Sequence, residues 1–236
     1  MTHGNLLLSR LPINEFMRVE PHLTAVHMDH GAVLAETHRK ISRAYFPHGG
    51  VLSFVVDLPG GGVVETGVVG RDGVFGTNQA LDDRVSLNRV TVQVPSEASV
   101  IEVSKLRGLL LELPELRKTL CGFEQFLFAQ AQQTAACNAL HQIRERACKW
   151  LSRMSELAGD ELPLTQEFLA QMMGVRRTSV NAAAQELSKL GIIEYQRGKV
   201  RIKDKEKLHA LSCSCHEDLK DHYRRIFEPH LYEAET

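Results

Sequence analysis

The sequence predicts an α+β protein in three successive parts: a barrel of short strands, one long helix, and a compact helical module closed by a β-hairpin. Three observations predict it. Short β-branched and aromatic runs separated by glycines fill residues 31–103. Apolar and small residues then recur at steps of three and four from Leu113 to Cys137. Beyond Leu164, two helical patterns meet at a glycine and are followed by a basic hairpin.

The strand runs are Ala44-Tyr45-Phe46, Val51–Asp57, Val63–Val69, Arg89–Val94 and Ala98–Val103. Their shortness and spacing fit a barrel or jelly roll. Pro59-Gly60-Gly61-Gly62 marks a reversal between two of them, because proline fixes φ and glycine reaches positive φ without a Cβ clash.

In the second part, Leu113, Leu116, Leu120, Phe123, Leu127, Gln130, Thr134 and Cys137 form a heptad-like seam on a long helix. Phe126, Phe128 and Ala129 add a second apolar flank, so one face can pack on the barrel and the other on a second copy. A core helix of a monomer would carry the same stripe. Asn138 and His141 interrupt the seam, and a further helix with Ile143, Ala147, Trp150, Leu151 and Met154 on one face runs to the Gly159-Asp160 break.

The third part carries the sharpest signal. Ala170, Gly174 and Val180 have the spacing of a helix-turn-helix: a small residue where two helices cross, a glycine for the left-handed turn, and an apolar plug behind the second helix. Thr165 is a good N-cap for the first helix. The second helix begins near Arg176 and presents Arg177, Thr178, Ser179 and Asn181 at the end that enters the major groove in this motif. Arginine suits guanine and asparagine suits adenine. Two helices joined by a small-residue turn also occur without nucleic acid. Here, however, Leu190–Ile202 follows as a hairpin turning at Arg197-Gly198, and a basic hairpin in that place is a wing. Its Arg197, Lys199 and Arg201 are expected to meet phosphate, giving register and salt sensitivity.

Charge distribution agrees. The chain is −1 overall, yet nine Lys and Arg stand against four acids between Arg176 and Lys207, and the flanking segments are acidic. Such a local excess raises phosphate affinity without making the whole chain adhesive. No apolar run reaches the roughly 18 residues of a membrane span, and no cationic segment followed by an apolar core opens the chain, so a cytoplasmic protein with no membrane role is expected. The five cysteines are then reduced, and their odd number argues against a disulfide framework.

With these motifs in place, the chain resembles the Crp/Fnr family of bacterial transcription regulators over nearly all of its length. The matching stretches are Thr165-Gln166-Glu167 through Val180, Gly191-Ile192-Ile193 before the wing, and Gly70-Arg71-Asp72-Gly73-Val74-Phe75-Gly76 in the barrel. The resemblance implies a double-stranded β-helix or jelly-roll sensor of the cyclic-nucleotide-binding type over residues 1–112. It further implies a dimerisation helix over 113–140, a winged helix-turn-helix over 141–207, and a C-terminal helical extension over 208–236. It also implies a homodimer through the 113–140 helix on a near-palindromic double-stranded DNA operator, with RNA polymerase as a further partner.

The departures matter. The best-known members carry Arg-Glu and a second Arg on the recognition helix, whereas Thr178 and Ala182 stand at the last two of those places, so a different operator is expected. The family's Gly-Glu-x-Gly turn reads Gly70-Arg71-Asp72-Gly73 here, and Asn88-Arg89 lies in the region of the family's phosphate-binding pair. Gly70, Arg71, Gly73, Asn88 and Arg89 are therefore the candidate effector residues, while Arg71 in place of Glu weighs against a cyclic nucleotide, and no other cofactor is assigned. No cysteine precedes Cys121, which removes the N-terminal iron–sulfur ligands of one branch.

Cys213 and Cys215, with His209 and His216 nearby, have metal-binding chemistry. A C-x-C pair without a second pair in the sequence reads more simply as small residues packing on the preceding domain, and no metal is assigned. No nucleophile elbow, phosphate loop or dinucleotide fingerprint is present, so no enzyme is expected. The alternative to a DNA-binding regulator is a cytoplasmic small-ligand or metal-binding protein that uses the helix-turn-helix only for packing.

Overall fold

The computed structural model describes residues 4–81, 85–196 and 198–232. Helices α1 (Leu6–Ser9) and α2 (Ile13–Val19) lead into strands β1 (Thr24–Met28), β2 (Val33–Ala35), β3 (Arg43–Pro47), β4 (Val51–Asp57) and β5 (Val63–Val69). A short α3 (Thr77–Leu81) precedes β6 (Arg89–Val94) and β7 (Ser96–Glu102), and then come α4 (Val103–Glu112) and the long α5 (Pro114–Leu140). The remainder runs α6 (Ile143–Ala158), β8 (Glu161–Pro163), α7 (Gln166–Met173), α8 (Arg177–Lys189), β9 (Ile193–Gln196), β10 (Lys199–Ile202), α9 (Lys205–Ala210) and α10 (Cys215–Phe227). No helix among the described residues is long and apolar enough to cross a membrane.

The chain forms two compact units, one of Met1–Phe54, Val68–Phe128 and Tyr223–Thr236, the other of Val55–Gly67 and Ala129–His222. The N-terminal strands make a jelly-roll pair of sheets, ordered β1-β7-β3 and β2-β6-β4-β5. β7 is central in the first sheet, pairing antiparallel with β1 and β3 so that Val100 stands between Thr24 and Tyr45. Phe46, Val51, Leu52, Val69 and Val90 are fully buried and supply the core. β-branched and aromatic residues dominate because they fill a pleated surface without losing much rotamer freedom.

The long helix starts where the sequence makes a start cheap. Pro114 sits at its first position, where a missing N–H costs nothing. The buried carboxylate of Glu15 then accepts from the amides of Glu115 at 3.2 Å and Leu116 at 2.8 Å, which satisfies orphan donors and opposes the helix dipole with negative charge.

In the first unit Leu116, Leu120, Phe123 and Phe126 of α5, and Leu113 just before it, are all buried. Part of the cover comes from the far end of the chain. The Tyr223 ring meets Phe126 edge-on at 5.2 Å, and a Cβ at Gly122 would lie 2.9 Å from Ile226 Cγ2. The apolar seam is therefore occupied within one chain, and Phe128, on the second flank, is left 65% exposed. Phe123 also rests directly on the barrel, because a Cβ at Gly73 would stand 2.1 Å from its Cζ. Since that ring is buried on all sides, Gly73→Ala is expected to cost about 1–3 kcal/mol of stability through overpacking, measured as a lower urea midpoint with an unchanged slope.

Candidate nucleic-acid interface

The helix-turn-helix is assembled residue by residue as its spacing requires. Thr165 has extended backbone and accepts the Phe168 amide on Oγ1 at 3.1 Å, starting α7. The helix stops at Gly174, whose φ of 62° and ψ of 37° lie in the left-handed region, where glycine avoids the Cβ penalty. Arg146 of α6 covers the same end by donating from Nη2 to the Met173 carbonyl at 2.6 Å, and burial holds its guanidinium below the ordinary arginine pKa.

α8 packs on α6, α7 and β9 and buries Val180, Ala183, Ala184 and Leu187, with Val180 fully buried. That one-sided burial leaves the opposite face to solvent. Arg176, Arg177, Thr178, Ala182 and Gln185 are exposed, and Ser179 and Asn181 are half-buried. Arg177, Asn181 and Gln185 follow one another at steps of four and so share one strip of the helix surface. Gln185 was not among the residues singled out from sequence, although its spacing from Asn181 was the available signal. Arg177 Nη1 lies 3.8 Å from Glu167 Oε2, and both groups are well exposed; such a pair contributes at most about 1 kcal/mol. It does not tie the guanidinium down.

The wing is the sheet β8-β10-β9. Gly198, with φ of 79°, turns β9 into β10, and its carbonyl accepts the Leu164 amide at 2.8 Å. Side chains alternate along a strand, so Val200 and Ile202 go into the core while Lys199 and Arg201 face solvent. The register places Arg201 across from Glu194 and Glu161, and its guanidinium is salt-bridged to Glu161. Lys199 pairs in register with Gln196 and Pro163 instead. Arg176, Lys199 and Lys203 form no ion pair with any described residue. Arg197 lies outside the described residues.

The expected effector residues are not brought together. A cavity of about 740 Å³ opens in the first unit, lined by Ile41, Phe54, Phe75, Asn78, Asn88, Glu124 and their neighbours. Of the five residues expected there, only Asn88 lines it. The turn from Gly70 to Gly73 is spent on backbone packing: Leu6 donates to the Arg71 carbonyl at 2.7 Å, Asn5 Nδ2 to the Gly73 carbonyl at 2.8 Å, and Tyr223 Oη to the Asp72 carbonyl at 3.0 Å. The Arg71 side chain is exposed and Arg89 is half-buried at the start of β6. In the cavity, Glu124 accepts from Thr77 Oγ1 and from Asn78 Nδ2, the latter at 2.7 Å. Burial raises its carboxyl above the usual range despite those bonds. No Lys or Arg among the described residues lines this cavity.

Comparison with known proteins places this architecture. Residues 145–211 match the Crp-like helix-turn-helix domain, while no curated protein matches the chain in a sequence search. Among solved structures, FixK2 from Bradyrhizobium japonicum superposes with a TM-score of 0.69 at 13% identity, covering 81% of this chain and 98% of its own. TTHA1359, a CRP/FNR-family transcriptional regulator from Thermus thermophilus, gives 0.66 at 20% identity over 80% of this chain and 98% of its own. The c-di-GMP responsive global regulator CLP of Xanthomonas campestris gives 0.65 at 13% identity over 81% and 99%. Residues 145–211 thus carry a Crp-like helix-turn-helix domain, and the chain shares its fold with solved regulators of the CRP/FNR type.

Proposed function

We propose that the protein is a dimeric, sequence-specific DNA-binding transcription regulator that reads duplex with α8 and grips the adjoining backbone with its wing. The observation that carries this is the strip of exposed Arg177, half-buried Asn181 and exposed Gln185 on a helix whose other face is buried, followed by a wing whose Lys199 forms no ion pair with any described residue. Arg177 suits a guanine edge and Asn181 an adenine edge. Arg176, Lys199 and Lys203 suit phosphates, which fix position and carry no base information. Arg201 contributes less, because Glu161 already neutralises it.

The dimer forms along α5 through the flank that includes Phe128, since the Leu113–Phe123 seam is filled within the chain. Pairing two copies of one helix-turn-helix places two recognition helices about one turn of duplex apart. The regulator acts in the cytoplasm, and RNA polymerase is its further partner when it activates. The barrel senses an effector in the cavity beside Glu124. That carboxyl and the nearby amides favour a ligand with hydrogen-bond donors on an apolar body over a phosphate ester.

Selection of random duplexes by the purified full chain tests the reading. Enrichment of an inverted repeat with half-sites about 10 base pairs apart is expected. Recovery of unselected sequence after several rounds would overturn sequence-specific recognition.

A further inference from the structure

Cys137, His141, Cys213 and Cys215 bring four donor atoms to within 4.8 Å of one another. Two separate stretches of the second unit supply them. Cys137 lies in the last turn of α5 and His141 just past it, and the His141 amide still bonds the Cys137 carbonyl at 3.1 Å, so the helical step of four places both side chains on one face. Cys215 is the first residue of α10 and Cys213 stands two before it. Cys137, Cys213 and Cys215 are 2%, 6% and 2% exposed, and His141 is half-buried.

We propose that these four side chains hold one divalent metal ion in a closed tetrahedral site, with zinc as the ion this donor set suits. In a tetrahedron with zinc–sulfur bonds of about 2.3 Å and zinc–nitrogen bonds of about 2.0 Å, sulfur–sulfur edges are about 3.8 Å and sulfur–nitrogen edges about 3.5 Å. Cys137 Sγ and Cys213 Sγ are 3.5 Å apart, and Cys215 Sγ and His141 Nδ1 are 3.4 Å apart. Both distances lie within a few tenths of an ångström of those edges. They are far too long for a disulfide, whose sulfurs sit at about 2.05 Å. With all four donors within 4.8 Å of one another, there is no room for a polynuclear iron–sulfur cluster, which interposes iron and sulfide between the ligands of its different irons.

The surroundings match the charge of such a site. Three thiolates and a neutral imidazole around a divalent ion leave one negative charge, and burying a lone charge is costly. Lys149 acts electrostatically on Cys137, and Arg146 on Cys137 and Cys213, so positive charge is already in place. Cys215 also occupies the first position of the 13-residue α10, so the positive end of that helix's dipole lies at the site. With four protein ligands and no open position, the ion is structural. It staples the end of α5 to the start of α10, the two ends of the stretch that contains the helix-turn-helix and its wing.

His209 and His216, the histidines nearest to Cys213 and Cys215 in sequence, are not part of this set. His216 Nε2 pairs with Glu156 Oε1 at 3.1 Å, and His209 Nε2 with Glu217 Oε1 at 3.3 Å.

The test uses the full chain, reduced and stripped with a chelator, and titrated with Co²⁺ without oxygen. Saturation at one ion per chain is expected, with the intense visible bands of tetrahedral thiolate-bound cobalt, bleached when Zn²⁺ displaces it. Cys213→Ser is expected to weaken cobalt binding by more than about 100-fold, the upper end of what losing even an outer-shell partner costs. Cys148→Ser, at a buried thiol outside the set, leaves it unchanged. Should Cys213→Ser not fold, a mercurial titration of the zinc-loaded Cys121→Ser/Cys148→Ser protein, whose only thiols are the three of the site, decides the matter: one zinc released per three thiols modified is expected. A pale octahedral spectrum, equal binding by a folded Cys213→Ser, zinc release out of step with thiol modification, or iron with acid-labile sulfide in the isolated protein would each overturn the assignment. None of these readouts involves DNA, so the site stands or falls apart from the proposed function.

Discussion

Val180→Asp unfolds the second unit at neutral pH and leaves the first unit folded. Val180 is fully buried on the inner face of α8, and the other buried residues of α7 and α8 are apolar: Leu169, Ala170, Met172, Met173, Ala183, Ala184 and Leu187. Aspartate is close to valine in volume, so the effect isolates charge burial from cavity formation. Burial without a partner raises a carboxyl pKa by about 3–5 units from an unfolded value of about 3.9, which at pH 7 costs about 4 kcal/mol. The sign follows from linkage. A group whose folded pKa is raised destabilises the fold above its unfolded pKa, so the loss grows as pH rises from about 4 and is relieved in acid. The single tryptophan, Trp150, donates from Nε1 to Glu65 Oε1 at 2.7 Å within the second unit, so its fluorescence reports that unit alone. A fluorescence melt superposing on the parent at pH 7 would show that the helix crossing is not packed as described.

Arg177→Ala and Asn181→Ala each reduce selective DNA binding by about 1–3 kcal/mol, or about 5- to 150-fold, with the loss confined to particular base positions. The two share one strip of α8, so their effects are not expected to add. They differ in a second readout. Arg177→Ala also weakens binding to random duplex, because a cation is lost, whereas Asn181→Ala leaves it nearly unchanged. Competition of the selected site against single-base variants, for each protein, separates the contributions. Uniform weakening across all variants by Asn181→Ala would remove it from base recognition.

Much of this was legible in the sequence where a position has only one steric solution. Gly174 is required at the turn, Val180 behind the helix and Thr165 at the cap, and each stands where its chemistry demands. The strands β3 to β7 were equally plain, being apolar runs between glycines. β1 and β2 were not, because they carry mostly exposed or half-buried residues and show no clean alternation. Helix α4 was hidden by Val103, which continues the apolar run of β7.

The seam on α5 was legible as a buried face but not for what buries it. A heptad stripe records burial alone, and Tyr223 and Ile226 fill part of it from about a hundred residues away. The Gly70–Gly73 turn misled for a related reason, since its glycines answer to Phe123 and to backbone partners in α1 rather than to the cavity. Of the four proposed metal donors, Cys213 and Cys215 drew notice in the sequence, while Cys137 and His141 escaped because His141 read as a break in the seam and Cys137 as part of it. Cys137 and Cys213 are separated by 76 residues, a pairing no local spacing rule finds.

The most direct test of the central claim is the salt dependence of binding by the full chain to a random duplex. Arg176, Lys199 and Lys203 from each of two protomers give six phosphate contacts, for a slope of log K on log salt of about −5 and a loss of about a thousand-fold between 50 and 200 mM. Lys199→Gln should flatten that slope by about 2 per dimer, and Arg201→Gln by less, because Glu161 already holds its charge. A slope near zero, or one that ignores Lys199, would contradict a duplex grip by the wing and the tip of α8.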